Sequence, residues 1–197
     1  MGATIGIVTF EDAEELDFVG PWEVFTMAAQ SNGTDRVVLL AERAEPVRCA
    51  KGLRVVPDHV LADAPPLDVV LIPGGIGTRR EMNNELLLAW LREVGARCRW
   101  VTSVCTGALV LHRAGFLAGR RATTHWSMLD ALREMGDVTV LEGRRYVRDG
   151  NVVTAAGVSA GIDMALWLVG ELHGPEFARG VQRFMEYDPA PPYAAAV

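Results

Sequence analysis

The chain has 197 residues, of which 50% are hydrophobic and 22% are charged, a balance that is typical of one folded domain and unlike that of disordered chains. Its 25 acidic and 19 basic residues give a net charge of −6 without a long basic cluster, which argues against a nucleic-acid partner. No apolar run reaches the roughly 18 residues that a membrane span needs, and the N-terminus lacks the pattern of a secretory signal. We therefore expect a cytoplasmic protein with no membrane partner.

Short apolar, β-branched segments alternate with helical patterns along the chain. Strands are predicted at residues 4–10, 36–41, 68–73 and 99–104. Apolar residues at three- and four-residue spacing predict helices near 20–31, 80–96, 106–117, 127–135 and 158–172, with Pro21 in the first turn of the first helix. Such alternation is typical of βαβ units, so we predict an α/β fold whose parallel sheet is covered on both faces.

Two segments depart from this alternation. Residues 146–148 and 151–154 flank Asp149-Gly150, which predicts a small β-hairpin. Residues 186–197 are rich in proline and cannot continue a helix, so we expect an extended C-terminal tail. Because no linker or repeat divides the chain, we predict one domain over residues 1–197.

The strongest chemical signal surrounds Cys105. The predicted strand 99–104 runs straight into a helix, so Cys105 should lie on a sharp turn at the carboxyl edge of the sheet, where strand–turn–helix nucleophiles are presented. Gly107 would allow a close approach of strand and helix. The helix N-terminus should bring the pKa of this thiol below the roughly 8.5 of free cysteine. The alternative is a core cysteine that merely fits the turn.

Two further segments should reach the same edge of the sheet. Gly74 and Gly75 end the strand 68–73, and their N–H groups could turn toward a ligand anion, although a plain turn has the same pattern. Asp17 lies between Leu16 and Phe18, whose side chains would desolvate its carboxyl group and make it hold its proton more tightly. A protonated carboxyl group beside a thiolate can act as a general acid, whereas the alternative is a helix cap or a solvated loop acid.

These motifs together resemble the ThiJ/PfpI superfamily, a class I glutamine amidotransferase-like domain, and within it the isocyanide (isonitrile) hydratases. The resemblance runs over nearly the whole chain and is carried by residues 16–21, 73–75, 101–107, 121–126 and 160–163. It implies a flavodoxin-like, doubly wound domain, usually a homodimer. It also implies a lyase that hydrates a small isocyanide to an N-substituted formamide without a metal or an organic cofactor.

The same resemblance implies roles for individual residues. Cys105 would be the nucleophile and Asp17 its acid partner. Thr106 would surround the anion together with Gly74 and Gly75. Val158, at the start of a helix across the site, would line the pocket.

Three other functions stay open at this point. A Cys–His amidase or protease would use His125, which follows a strand, although a supporting or packed histidine fits as well; the peptidase-like branch also has His where this chain has Thr106. A glyoxalase-type enzyme would use a comparable cysteine, but such relatives more often have Glu at the position of Asp17. Outside the enzymes, the same motifs occur in the ligand-sensing halves of AraC-type regulators, so the chain would be a freestanding small-molecule sensor.

Overall fold

A seven-stranded sheet forms the centre of the computed structural model, which describes residues 2–189. The strands in chain order are β1 (Thr4–Val8), β2 (Arg36–Ala41), β3 (Val47–Arg48), β4 (Arg54–Val55), β5 (His59–Val60), β6 (Val69–Ile72), β7 (Trp100–Val104), β8 (Arg120–Ala122), β9 (Val138–Val140), β10 (Tyr146–Asp149) and β11 (Val152–Ala155). The helices are α1 (Glu15–Asn32), α2 (Thr78–Glu81), α3 (Glu85–Gly95), α4 (Gly107–Arg113), α5 (Leu129–Glu134), α6 (Ala160–His173) and α7 (Pro175–Phe184).

The strand order of the central sheet is β10-β11-β7-β6-β1-β2-β5, and of these described strands only β10 is antiparallel to its neighbour. Its strand directions and order confirm the prediction of a flavodoxin-like, doubly wound and mostly parallel sheet. The predicted hairpin is formed by β10 and β11, with Val147 paired to Thr154. Because β11 also pairs with β7, the hairpin extends the central sheet.

Helices cover both faces of this sheet. The connection from β1 to β2 runs in one direction along the sheet, and the connections from β6 through β7 to β11 run in the other. Right-handed crossovers therefore place α1 on one face and α3 and α4 on the other. Helices α1, α6 and α7 pack against one another, while α4 lies against β6 and β7. Strand β6 is consequently buried along its whole length, as its uninterrupted apolar sequence requires.

Several element boundaries differ from the prediction. Helix α1 begins at Glu15, so Pro21 lies inside the helix and the prediction of a first-turn proline is wrong. The predicted helix 80–96 is two helices, because the Asn84 side chain accepts hydrogen bonds from the N–H groups of Leu86 and Leu87 and so starts α3 anew. The parallel pair β8–β9, the antiparallel pair β3–β4 and the helix α7 were not predicted.

The C-terminal prediction is only partly covered by the structure. Residues 187–189 follow α7 without regular secondary structure, and residues 190–197 lie outside the described residues. The prediction that residues 1–197 form one domain stays a prediction. None of the described helices is both long and apolar enough to cross a membrane.

Gly107 provides a test of how closely β6 and α4 must approach. A Cβ atom at this position would lie 2.2 Å from the carbonyl oxygen of Ile72 and 2.8 Å from that of Pro73, which are backbone atoms that cannot move aside. We expect Gly107→Ala to lower the free energy of unfolding by about 3 kcal/mol, the upper end of the usual cost of overpacking, measured by urea denaturation. The control is Gly180→Ala in α7, where a Cβ meets no atom within 4 Å and the better helix former should add about 0.5–1 kcal/mol. A Gly107→Ala protein as stable as the wild type would contradict the packing described here.

Candidate active site

Cys105 occupies a strained turn between β7 and α4. It directly follows β7, and its φ of 54° lies in the left-handed region, which residues other than glycine rarely adopt. Its N–H group donates to the carbonyl oxygens of Ala155 at 3.1 Å and Ala156 at 2.6 Å. Its own carbonyl oxygen accepts a 2.8 Å hydrogen bond from the hydroxyl group of the buried Thr124. The sharp turn expected at Cys105 is therefore confirmed, and β11 and Thr124 hold it in place.

Asp17 lies in the first turn of α1 and is fully buried, with 0% of its surface exposed. Its Oδ2 atom accepts a 2.8 Å hydrogen bond from the N–H group of Gly74, the second residue after β6. A Cβ atom at Gly74 would lie 2.7 Å from Asp17 Oδ2 and 2.7 Å from Cys105 Cβ. Gly74 is therefore the narrow spacer between the carboxyl group and the cysteine, and any larger residue would push them apart.

The carboxyl group of Asp17 holds its proton unusually tightly. Its pKa is raised from 3.8 to about 7, chiefly by burial and to a smaller extent by the nearby charge of Glu14, against the opposing effects of the Gly74 N–H group and the neighbouring Cys105. Oδ1 has no partner in hydrogen-bond geometry among the described groups. The desolvation expected from the apolar neighbours of Asp17 is therefore confirmed, and this group exchanges its proton near neutral pH.

The pKa of Cys105 contradicts the prediction of an acidic thiol. This pKa is raised to about 12, chiefly by burial and also by the negative charge of Asp17. The N–H groups of Thr106 and Val158 and the Thr106 hydroxyl group lower it, but they do not outweigh burial. The prediction was wrong because a short strand–helix turn reveals the helix N-terminus but not the depth at which the thiol lies. Protonation of Asp17 removes the second of the two effects that raise the pKa of Cys105.

The turn after β6 is held by a group of hydroxyl bonds. Gly75 has a φ of 113°, and its N–H group donates to Thr106 Oγ1 at 3.0 Å. The Thr78 hydroxyl group donates to the Gly75 carbonyl oxygen at 2.7 Å and lies 3.1 Å from Thr106 Oγ1. The N–H groups of Gly74 and Gly75 thus bind Asp17 and Thr106. The sequence predicted that these N–H groups would turn toward a ligand anion, and that prediction is wrong because both already have partners within the protein.

A pocket of about 250 Å³ opens onto Cys105. It brings together five of the predicted site residues, which are Cys105, Thr106, Gly75, Val158 and His125. Asp17 and Gly74 lie behind this surface. A larger cavity of about 860 Å³ lies beside α2 and the end of β2, but no cysteine, serine or histidine lines it. Among residues 2–189, no three His, Cys, Asp or Glu side chains lie close enough together to hold a metal ion.

Val158 and His125, two predicted residues of the pocket, are held in different ways: Val158 by its backbone conformation and His125 by side-chain contacts. Val158 has a φ of 44°, and this strained backbone turns its N–H group toward the Cys105 sulfur. His125 Nδ1 lies 2.8 Å from Ser127 Oγ and accepts a bond from the Ser127 N–H group. Its ring packs on Gly157, where a Cβ atom would come within 2.3 Å of His125 Cδ2. In the described part of the chain no hydrogen bond joins His125 to Cys105.

Sequence reasoning missed two residues of this site. Thr124 was seen only as part of a motif, and its bond to the Cys105 carbonyl oxygen spans 19 positions of sequence. Arg79 was not considered, although it lines the pocket. Nothing in the local sequence distinguishes Arg79 from its neighbour Arg80, and only the folded structure shows which of them lines this pocket.

Both the sequence and the fold of the chain are similar to those of known proteins. Residues 3–171 match the DJ-1/PfpI family. The chain is 42% identical to the isonitrile hydratase of Pseudomonas putida over 193 residues, which cover 98% of this chain and 82% of that protein. A crystal structure of a ThiJ/PfpI family protein from Pseudomonas syringae has a TM-score of 0.91 and 35% identity, covering 100% of this chain and 80% of that one.

A second kind of relative is a transcription regulator. The chain is 29% identical over 187 residues to the HTH-type transcriptional regulator GbdR of Pseudomonas aeruginosa. The match covers 94% of this chain but only 51% of the regulator.

The raised pKa of Asp17 predicts how stability changes with pH. The folded-state pKa of about 7 lies above the unfolded value of 3.8, so the stability linked to this proton is complete below pH 3.8 and is lost as the pH rises through 7. Asp17→Asn does not titrate. Its free energy of unfolding relative to the wild type should therefore increase by about 3 kcal/mol between pH 5 and pH 8, measured by urea denaturation.

The matched control is Asp130→Asn, whose side chain is 89% exposed and should show a flat difference over the same range. A flat difference for Asp17→Asn as well would mean that Asp17 is ionised throughout.

Proposed function

Because the chain belongs to the DJ-1/PfpI family, we propose that it is an isonitrile hydratase, a hydro-lyase that converts an isocyanide to an N-substituted formamide. The observation that carries this proposal is the buried carboxyl group of Asp17, with a pKa of about 7, separated from Cys105 by the width of one glycine. A nucleophile next to a proton donor is what addition to an isocyanide carbon requires, because that carbon must gain both a bond and a proton. The similarity to the Pseudomonas putida enzyme supports the same choice.

In the first half of the proposed reaction, the Cys105 thiol passes its proton to the Asp17 carboxylate as the sulfur attacks the terminal carbon of the isocyanide and forms a carbon–sulfur bond. Asp17 transfers its proton to that carbon, which leaves a thioimidate on the enzyme and an ionised carboxylate. Protonation of Asp17 also favours the thiolate. It removes the negative charge that raises the pKa of Cys105 beyond the effect of burial. The two groups therefore start the reaction with one proton between them.

In the second half, water adds to the thioimidate carbon. One water proton reaches the substrate nitrogen and the other returns to Asp17, and the carbon–sulfur bond breaks to release the formamide and the thiolate. The N–H groups of Thr106 and Val158 face the sulfur and stabilise it as it becomes anionic again. Gly74 positions Asp17, and Gly75 positions Thr106. No metal or organic cofactor takes part in this scheme.

The leading alternative of a different class is a small-molecule sensor, which the similarity to GbdR favours. A sensor would bind its ligand without consuming it, so product formation separates the two. A Cys–His hydrolase would instead need His125 to take the thiol proton, although Ser127 already occupies its Nδ1 atom. Release of formamide from an isocyanide, with no turnover of methylglyoxal or small amides, would support the hydratase.

We also propose a cytoplasmic homodimer. The three cysteines of the chain are free thiols, as is usual in the reducing interior of the cell. Leu16 and Val19 of α1 are 39% and 37% exposed, and Leu53 is 45% exposed. The Leu53 N–H group donates to Glu15 at 3.4 Å, which places Leu53 next to the first turn of α1, and we propose these exposed apolar side chains as the dimer surface. A second copy of the chain would cover it.

The dimer surface can be tested with a pair of matched substitutions. Light scattering at micromolar concentration should give twice the mass of the chain, and Leu53→Asp should shift it toward the monomer. Leu86→Asp is the control, because Leu86 is also exposed, at 55%, but belongs to α3. A wild-type monomer would contradict the dimer, and an equal effect of both substitutions would contradict this surface.

Catalysis by Asp17 and Cys105 as one unit predicts a particular pattern of losses. Cys105→Ala should abolish isocyanide hydration, and Asp17→Asn should slow it by about 10²–10⁴-fold while the protein stays folded. The double variant should be scarcely slower than Cys105→Ala, because residues that act together are not additive.

The control for this series is His125→Ala, for which we expect a much smaller loss of kcat. Formamide can be followed by chromatography and the fold by circular dichroism. Near-wild-type turnover of Asp17→Asn together with an inactive His125→Ala would replace this mechanism by the Cys–His one.

A further inference from the structure

The guanidinium group of Arg79 lies at the mouth of the Cys105 pocket and contacts only uncharged groups. Its Nη1 atom donates to the Gly75 carbonyl oxygen at 3.2 Å and to Thr78 Oγ1 at 3.3 Å. Its Nη2 atom lies 3.3 Å from the sulfur of Met128. Arg79 therefore contacts both the turn after β6 and the segment before α5. Although the side chain is exposed, these contacts hold its charge at the pocket that contains Cys105.

No carboxylate of the described residues forms an ion pair with Arg79. Its neighbour Arg80 has two, with Glu81 at 2.8 Å and Asp12 at 3.7 Å. The Nε atom of Arg79 also lacks an acceptor in this part of the chain, whereas Nε of Arg80 bonds to Glu81. A protein with a net charge of −6 has therefore left one cation without a partner at the entrance to its nucleophile.

The other ionisable groups at the pocket do not cancel this charge. Glu14 lines the same pocket, but it forms an ion pair with Lys51. Asp17 lies behind the surface, where it is fully buried. Apart from Cys105 itself, whose thiol is neutral at rest because its pKa is raised, the other ionisable group lining the pocket is His125, which carries no negative charge. The Glu14–Lys51 pair is neutral overall, so the positive charge of Arg79 dominates the entrance.

We propose that Arg79 selects substrates that carry a carboxylate, so that the enzyme acts on a compact isocyano acid. This inference rests on the proposed function. The isocyanide carbon would meet Cys105 while the carboxylate accepts hydrogen bonds from the free Nε–H of Arg79. A pocket of about 250 Å³ is smaller than the usual 300–1,000 Å³ of sites for drug-sized ligands, which favours a short link between the two groups.

The test compares a charged and a neutral substrate of the same shape. Isocyanoacetate and its methyl ester are supplied separately to the wild type, Arg79→Met and Arg79→Lys, and kcat/KM is measured for each. The ratio of the acid to the ester should fall about tenfold in Arg79→Met, a modest figure because the guanidinium group is exposed to solvent. Arg79→Lys should retain most of the ratio, and added salt should reduce it in the wild type.

The control for overall charge is Arg97→Met, which removes one cation from the far end of α3 and should leave the ratio unchanged. An unchanged ratio in Arg79→Met, or an equal fall in Arg97→Met, would overturn the inference.

A second measurement keeps the inference separate from the proposed function. Iodoacetate and iodoacetamide alkylate thiols and differ in charge, so their relative rates at Cys105 report anion preference without any hydration. The iodoacetate to iodoacetamide ratio, followed by mass spectrometry, should fall several-fold in Arg79→Met. If no isocyanide is turned over, the hydratase proposal fails and this ratio alone decides. An equal ratio in the wild type and in Arg79→Met would then overturn the role of Arg79.

Discussion

The 2.8 Å hydrogen bond from the Gly74 N–H group to Asp17 Oδ2 is the contact on which the rest of the site depends. It gives a carboxyl group without solvent contact one polar partner, and it fixes that group beside the cysteine. A single N–H donor does not compensate for complete burial, so the proton affinity of Asp17 remains high. The two results, position and protonation, have one cause: the carboxyl end of β6 approaches the first turn of α1 without a side chain between them.

The same burial sets the reactivity of Cys105. It raises the pKa of the thiol, whereas a helix N-terminus alone would lower it. N–H groups of Thr106 and Val158 favour the thiolate, but desolvation and the charge of Asp17 disfavour it more. The thiol therefore ionises more readily when Asp17 carries the proton, because the second effect that raises its pKa is then removed. The strained backbone at Cys105 is maintained by its bonds to Ala155, Ala156 and Thr124.

Much of this arrangement was predictable from the sequence, and the exceptions share a physical reason. Parallel strands buried on both faces need uninterrupted apolar runs, so the sheet was visible, and a strand joined to a helix without a loop required the turn at Cys105. Leu16 and Phe18 correctly indicated a desolvated Asp17. The partners of the Gly74 and Gly75 N–H groups lie 57 and 31 positions away, and the depth of Cys105 is set by several elements at once. Likewise, Arg79 and Arg80 differ only in which carboxylates the fold brings near them. Local patterns contain none of this information.

The central claim is that Asp17 keeps its proton to near neutral pH in the folded protein. It can be measured directly by NMR of the protein labelled with ¹³C at the aspartate carboxyl carbons, titrated between pH 5 and pH 9, with Asp17→Asn identifying the resonance. The account predicts that the Asp17 signal changes position near pH 7, far above the ordinary value of 3.8. A signal that already has the chemical shift of an ionised carboxylate at pH 5, and does not move on titration, would contradict it.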